Sequence, residues 1–102
     1  MKIQNKVLVD LKGEPISAGD VSLTVATVLI NCALCAPADN KPRAAKDVAG
    51  RYDLAIQLNR LAENEFIDIP VEAAAGLKDD MLRLYATIVS GPMLLVLDGA
   101  PN

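Results

Sequence analysis

The chain has no histidine and no tryptophan, and its aromatic side chains are Tyr52, Tyr85 and Phe66 alone. Without an imidazole, one chain cannot build a Ser-His-Asp or Cys-His nucleophilic site, an imidazole proton shuttle or a histidine-ligated metal centre. The sequence also lacks a phosphate-cradling G-x-x-x-x-G-K-S/T, a dinucleotide-binding G-x-G-x-x-G, a nucleophile elbow G-x-S-x-G and a D-x-D-x-D-G calcium loop. With neither a nucleophile nor a base to name, the expected role is non-enzymatic, with no cofactor.

Small aliphatic residues fill the space that aromatics leave. Of 102 residues, 52% are apolar, mostly Ala, Val, Leu and Ile. A chain of this length buries one modest core, so residues 1–102 read as a single domain. The net charge is −3, a poor match to the field that draws nucleic acid or anionic lipid. Polar residues in Met1-Lys2-Ile3-Gln4-Asn5-Lys6 stand where an export signal would carry its apolar core. The expected location is therefore the cytoplasm, where two cysteines stay reduced.

Lys6-Val7-Leu8-Val9-Asp10-Leu11 is a β-branched-rich run that ends at the turn-forming Lys12-Gly13-Glu14-Pro15. Ile16 is placed to begin a return strand, which Ser17-Ala18-Gly19-Asp20 soon interrupts. From Asp20 to Cys35 the polar residues Asp20, Thr24, Thr27 and Asn31 recur at spacings of four, three and four. On a helix they fall within roughly 60° of one another, a narrow stripe on an otherwise apolar cylinder. The spacing predicts a largely buried helix over about 20–35, with Asp20, Ser22 or Thr24 as its N-cap. The sixteen residues from Val21 to Ala36 fall short of the ~20 mainly apolar residues of a membrane span.

The loop Ala36 to Pro42 precedes a second predicted helix, about 43–62, with Val48, Tyr52, Ala55, Asn59 and Ala62 along one face. Gly50 inside it suggests a close approach by another backbone. Phe66 to Ile69 reads as a strand closed by Pro70, and pairing it with residues 6–11 in a minimal ribbon satisfies both segments. A third helix is expected over about 71–89, with Ala74, Leu77, Met81, Leu84, Tyr85 and Ile88 inward. Ser90-Gly91-Pro92 should break or kink it. Met93 to Leu97 has no polar residue to set a period and reads as a short closing helix, while 98–102 reads as a frayed end. The fold class is thus α+β, mostly α.

Cys32-Ala33-Leu34-Cys35 has the C-x-x-C spacing of redox sites, but it lies at the C-terminal end of its helix. There the dipole and apolar surroundings disfavour thiolate. A tetrahedral zinc site would need two such pairs from two subunits. Free cysteines packed as small hydrophobes are the simpler reading. Asp79 and Asp80 point about 100° apart on a helix and read as solvated acids rather than a dyad. Lys41, Arg43, Lys46, Arg51 and Arg60 against Asp47 and Asp53 give residues 41–60 a balance of +3, whereas 61–82 carry −5. Such opposite halves either neutralise each other between neighbouring elements or steer a partner. The basic helix beginning near Arg43 makes a small DNA-binding regulator the alternative function, although few base-reading side chains accompany it.

The order of these features resembles small uncharacterised bacteriophage and prophage proteins. It runs from Leu8-Val9-Asp10-Leu11-Lys12-Gly13-Glu14-Pro15-Ile16 through Leu23-Thr24-Val25 and Val28 to Leu34. Arg51-Tyr52, Leu54-Ala55, Ile67-Asp68-Ile69, Tyr85, Val89 and Gly91-Pro92 follow. The resemblance implies a viral accessory or assembly role, exercised through contact with another copy or another phage protein. The expected contact residues are the stripe Thr24, Thr27 and Asn31, and the apolar end Met93, Leu94, Leu95 and Leu97.

Overall fold

The computed structural model describes residues 1–37 and 41–97, and the expected frayed end at 98–102 lies outside them. Strand β1 (Lys2–Gln4) comes first, followed by β2 (Ser17–Ala18) and β3 (Val21–Ser22). Helices α1 (Val25–Leu34) and α2 (Ala45–Asn59) precede strand β4 (Phe66–Asp68), and helices α3 (Val71–Leu84) and α4 (Thr87–Leu97) complete the described chain. The fold is mostly helical with minimal antiparallel sheet, in agreement with the expected class. No helix of the described residues is long and apolar enough to cross a membrane.

Helix α1 is the axis of the molecule. Val25, Ala26, Val28, Leu29, Cys32 and Ala33 are buried, and α1 packs on both α2 and α3. A helix in that position must find partners for its first amides within the protein, because Val25, Ala26 and Val28 are buried and Thr27 is partly so. All four are satisfied. Val25 N donates to Lys6 O at 2.9 Å, and Val28 N to Thr24 O at 3.1 Å. Ala26 N donates to Asn5 Oδ1 at 3.0 Å, and Thr27 N to Thr24 Oγ1 at 3.1 Å. Thr24 is therefore the N-cap. The helix begins five residues later than expected from Asp20, since Val21 and Ser22 form the return strand of a hairpin with β2.

The ribbon exists with β4 as foreseen, but its other strand is β1, not residues 6–11. Ile3 faces Ile67, flanked by Lys2 opposite Asp68 and Gln4 opposite Phe66. Residues 6–11 are drawn instead into a small meander, in which Leu8 N donates to Leu23 O at 2.9 Å and Ile16 N to Leu8 O at 2.9 Å. Burial of both Ile3 and Leu8 fixes this register. Ile16 does return along the first run. At the intervening turn Asp10 Oδ1 accepts from Lys12 N and Glu14 N, and Gly13 takes a φ of +82° that favours glycine.

Two helix boundaries also move. The second helix spans Ala45–Asn59, and the expected third helix, 71–89, is two. Its break falls at Tyr85, in extended backbone with φ −118° and ψ 145°, from which the hydroxyl accepts a 2.8 Å hydrogen bond from Asn31 Nδ2 on α1. Pro92 lies inside α4 rather than ending a helix. The carbonyl it leaves without an amide partner belongs to Ile88, an exposed residue that water can serve. Among the described residues nothing lies within 4 Å of a Cβ built on Gly50, so none of their backbone approaches there, contrary to the expectation.

Candidate functional site

The last turn of α1 and the two residues that follow it also present carbonyls that need donors, and the chain supplies arginines. From α2, Arg51 Nη1 donates to Cys32 O at 3.2 Å, and from just before α2, Arg43 Nη2 donates to Cys35 O at 3.3 Å. From α3, Arg83 Nη2 reaches Ala36 O at 2.9 Å. Three cations thus meet the negative end of the α1 dipole. Asp80 of α3 stands between them, 2.8 Å from Arg51 Nη1, 3.4 Å from Arg83 Nη2 and 3.9 Å from Arg43 Nη2. Its side chain is 12% exposed and those of Arg43 and Arg51 are 17% exposed. Asp47 bridges the same two arginines along α2, at 3.5 Å from each.

This cluster corrects the reading of Asp79 and Asp80 as solvated acids. Asp79 is exposed, whereas Asp80 is an inward hub. The opposite charges of residues 41–60 and 61–82 meet here within one molecule. Arg43 and Arg51 of the basic run are turned inward, so the run offers fewer guanidiniums to a phosphate backbone than its sequence suggests. The spacing Arg43, Asp47, Arg51 is a legible i, i+4, i+8 ladder. Which way that ladder faces depends on α3, and nothing local encodes it.

Under the cluster lies the C-x-x-C pair. Cys32 is buried and Cys35 half-buried, both as free thiols. Cys35 Sγ donates to Cys32 O at 3.1 Å and accepts from Arg83 Nη2 at 3.4 Å. Burial, seconded by the neighbouring Cys35 and Asp80, pushes the Cys32 thiol up from 9.0 to about 12. Cys32 is therefore a protonated core side chain at neutral pH. Among the described residues no group of three or more Cys, Asp or Glu side chains is placed to hold a metal ion. A shallow groove of about 630 Å³ runs beside the pair, walled by Leu34, Cys35, Pro37, Pro42, Val48 and Tyr52.

The expected contact residues fare unevenly. Thr24 and Thr27 share a 3.0 Å hydroxyl contact within the α1 cap, and Asn31 is engaged with Tyr85. The stripe is thus tied to its own chain. The apolar end is not an exposed block either: Met93 and Leu97 are core residues, Leu94 is partly buried, and Leu95 alone is well exposed, at 54%. Helical periodicity splits the run, since α4 packs on α3 and β1.

The exposed apolar surface that sequence reasoning missed lies on α2. Ala55 and Leu58 are its buried residues; of the face expected to run through Val48, Tyr52, Ala55, Asn59 and Ala62, Ala55 is buried as its spacing implied, whereas Val48, Tyr52, Asn59 and Ala62 are exposed. Ala45, Val48, Ala49, Tyr52, Ile56 and Asn59 are all exposed. At 100° per residue they share an arc of roughly 100° without a single charge. Lys46, Asp53 and Arg60 occupy the adjoining arc. No protein-family model, no curated protein sequence and no solved structure matches this chain.

Proposed function

We propose that the protein acts by protein–protein contact without chemistry of its own, and that the uncharged face of α2 joins it to a second copy. The observation that carries this reading is the arc from Ala45 to Asn59, with Tyr52 at its centre and 61% exposed. A solvated helix face ordinarily carries charge, whereas a contiguous apolar strip marks an interface. The strip is also self-complementary. In an antiparallel pair about Tyr52, Val48 meets Ile56 of the other copy and Ala45 meets its Asn59, the isologous pattern of a twofold dimer. The setting we assign, a viral accessory or assembly protein, rests on the sequence resemblance to bacteriophage and prophage proteins.

Sedimentation velocity tests the reading. The wild-type chain is expected to dimerise, and Tyr52→Lys to weaken the dimer by at least about tenfold while the far-ultraviolet spectrum is unchanged. A wild-type chain that stays monomeric at its highest soluble concentration contradicts it.

A further inference from the structure

A second groove, of about 510 Å³, lies on a different part of the surface from the α2 strip, with β1 along one wall and Pro92, Leu95 and Val96 of α4 on the other. Among the described residues strand β1 has a neighbour on one side only. Asn5 N donates to Glu65 O and Ile69 N to Met1 O, so the odd-numbered residues of β1 make the hydrogen bonds to β4. By the alternation of an antiparallel pair, the amides and carbonyls of Lys2 and Gln4 then point the other way. Among the described residues no loop or helix backbone bonds to them. An open strand edge beside an apolar wall is the arrangement that receives an extended peptide by strand addition.

The charges of the groove select its occupant. The described residues that line it carry two ammoniums, Lys2 and Lys6, and no carboxylate. Lys2 Nζ lies 5.6 Å from the ring centroid of Phe66, itself exposed at the rim. A second copy adding its own β1 would bring four ammoniums together, which like-charge repulsion opposes. We propose that the groove between β1 and α4 takes an acidic peptide segment in extended form, as a third strand along β1. Side chains of a strand alternate. One set of its residues would therefore be apolar, against Leu95 and Val96, and the other set carboxylates, towards Lys2 and Lys6.

The test uses a capped peptide of alternating valine and glutamate, its lysine counterpart, and the full chain in wild-type and Tyr52→Lys forms, so that self-association through α2 does not enter the result. The glutamate peptide is expected to bind both forms and to slow amide hydrogen exchange at Lys2 and Gln4, with Ile3 already protected by β4. Replacing Lys2→Glu and Lys6→Glu together, both exposed, is expected to cost at least about tenfold in affinity for it and to transfer preference to the lysine peptide. Absence of binding, equal binding of the two peptides by the wild-type chain, or unchanged exchange at Lys2 and Gln4 on saturation overturns the proposal. Slow exchange at those two amides before peptide is added also overturns it, because the edge is then already paired.

Discussion

Asn5 illustrates what one residue can contribute without any signal in its local sequence. Its Oδ1 caps α1 at Ala26 N, its Nδ2 donates to Leu61 O and Ala62 O, and its backbone bonds Glu65 and Asn64. One buried amide thus ties β1 to the start of α1, the end of α2 and the turn before β4. Asn5→Ala keeps the backbone bonds but leaves Ala26 N, Leu61 O and Ala62 O without their side-chain partner, and is expected to destabilise the fold by about 2–3 kcal/mol, measured by urea unfolding. Gly50 is the opposite case: it is helical, exposed and has open space around it. Gly50→Ala should therefore stabilise by about 0.5–1 kcal/mol in the same assay. Cys32 gives a pH signature. Its thiol sits at about 12 in the fold against 9.0 ordinarily, so the folded state holds that proton more tightly than the unfolded one. The resulting stability is complete below about pH 9 and is lost as pH rises towards 12. Cys32→Ala should lose less stability than the wild-type chain across that alkaline window. Placing the cysteines at the C-terminal end of their helix made the inert thiol legible in the sequence; the hub roles of Asn5 and Asp80 were not, because their partners lie far along the chain.

At the scale of the element, α1 shows how a short apolar helix is held by its ends. Its amides are capped by Lys6, Asn5 and Thr24, and the arginine cluster on Asp80 serves the carbonyls of Cys32 and of Cys35 and Ala36 just past its end. Asp80→Asn removes the charge that three guanidiniums share, two of them poorly solvated. A loss of about 3 kcal/mol is expected, with α1 amides near Cys32 to Leu34 exchanging faster. An intact fold with unaltered exchange would show that the arginines need only the carbonyls. The helices were legible in outline because buried positions such as Val28, Leu29, Cys32 and Ala74, Leu77, Met81 repeat with helical period. Boundaries were not: the hairpin before α1 and the break at Tyr85 follow from long-range hydrogen bonds, to Leu8 and Asn31, that override the local pattern. The ribbon's register was missed for a related reason, since residues 2–4 and 6–11 both alternate acceptably and burial of Ile3 and Leu8 decides between them.

For the whole molecule, the consequence is that apolar surplus and charge are sorted in ways the one-dimensional pattern reverses. Charges that looked available for a partner, on Arg43, Arg51 and Asp80, are turned inward, whereas an apolar arc that looked like core, through Val48 and Tyr52, faces out. An amphipathic pattern says that a helix has two faces, but for α2 the inward one is set by its packing on α1. The central claim, that α2 meets α2 of a second copy in antiparallel register, is tested most directly by intermolecular cross-linking. One chain carries Val48→Cys and another Ile56→Cys, both in a background with Cys32→Ala and Cys35→Ala. Mixed under mild oxidation, the two are predicted to form a disulfide-linked heterodimer in preference to either homodimer, and Gly50→Cys, about 150° round the helix from the centre of the strip, to form none. Equal linkage in all combinations, or no linkage between Val48→Cys and Ile56→Cys chains, would contradict the account.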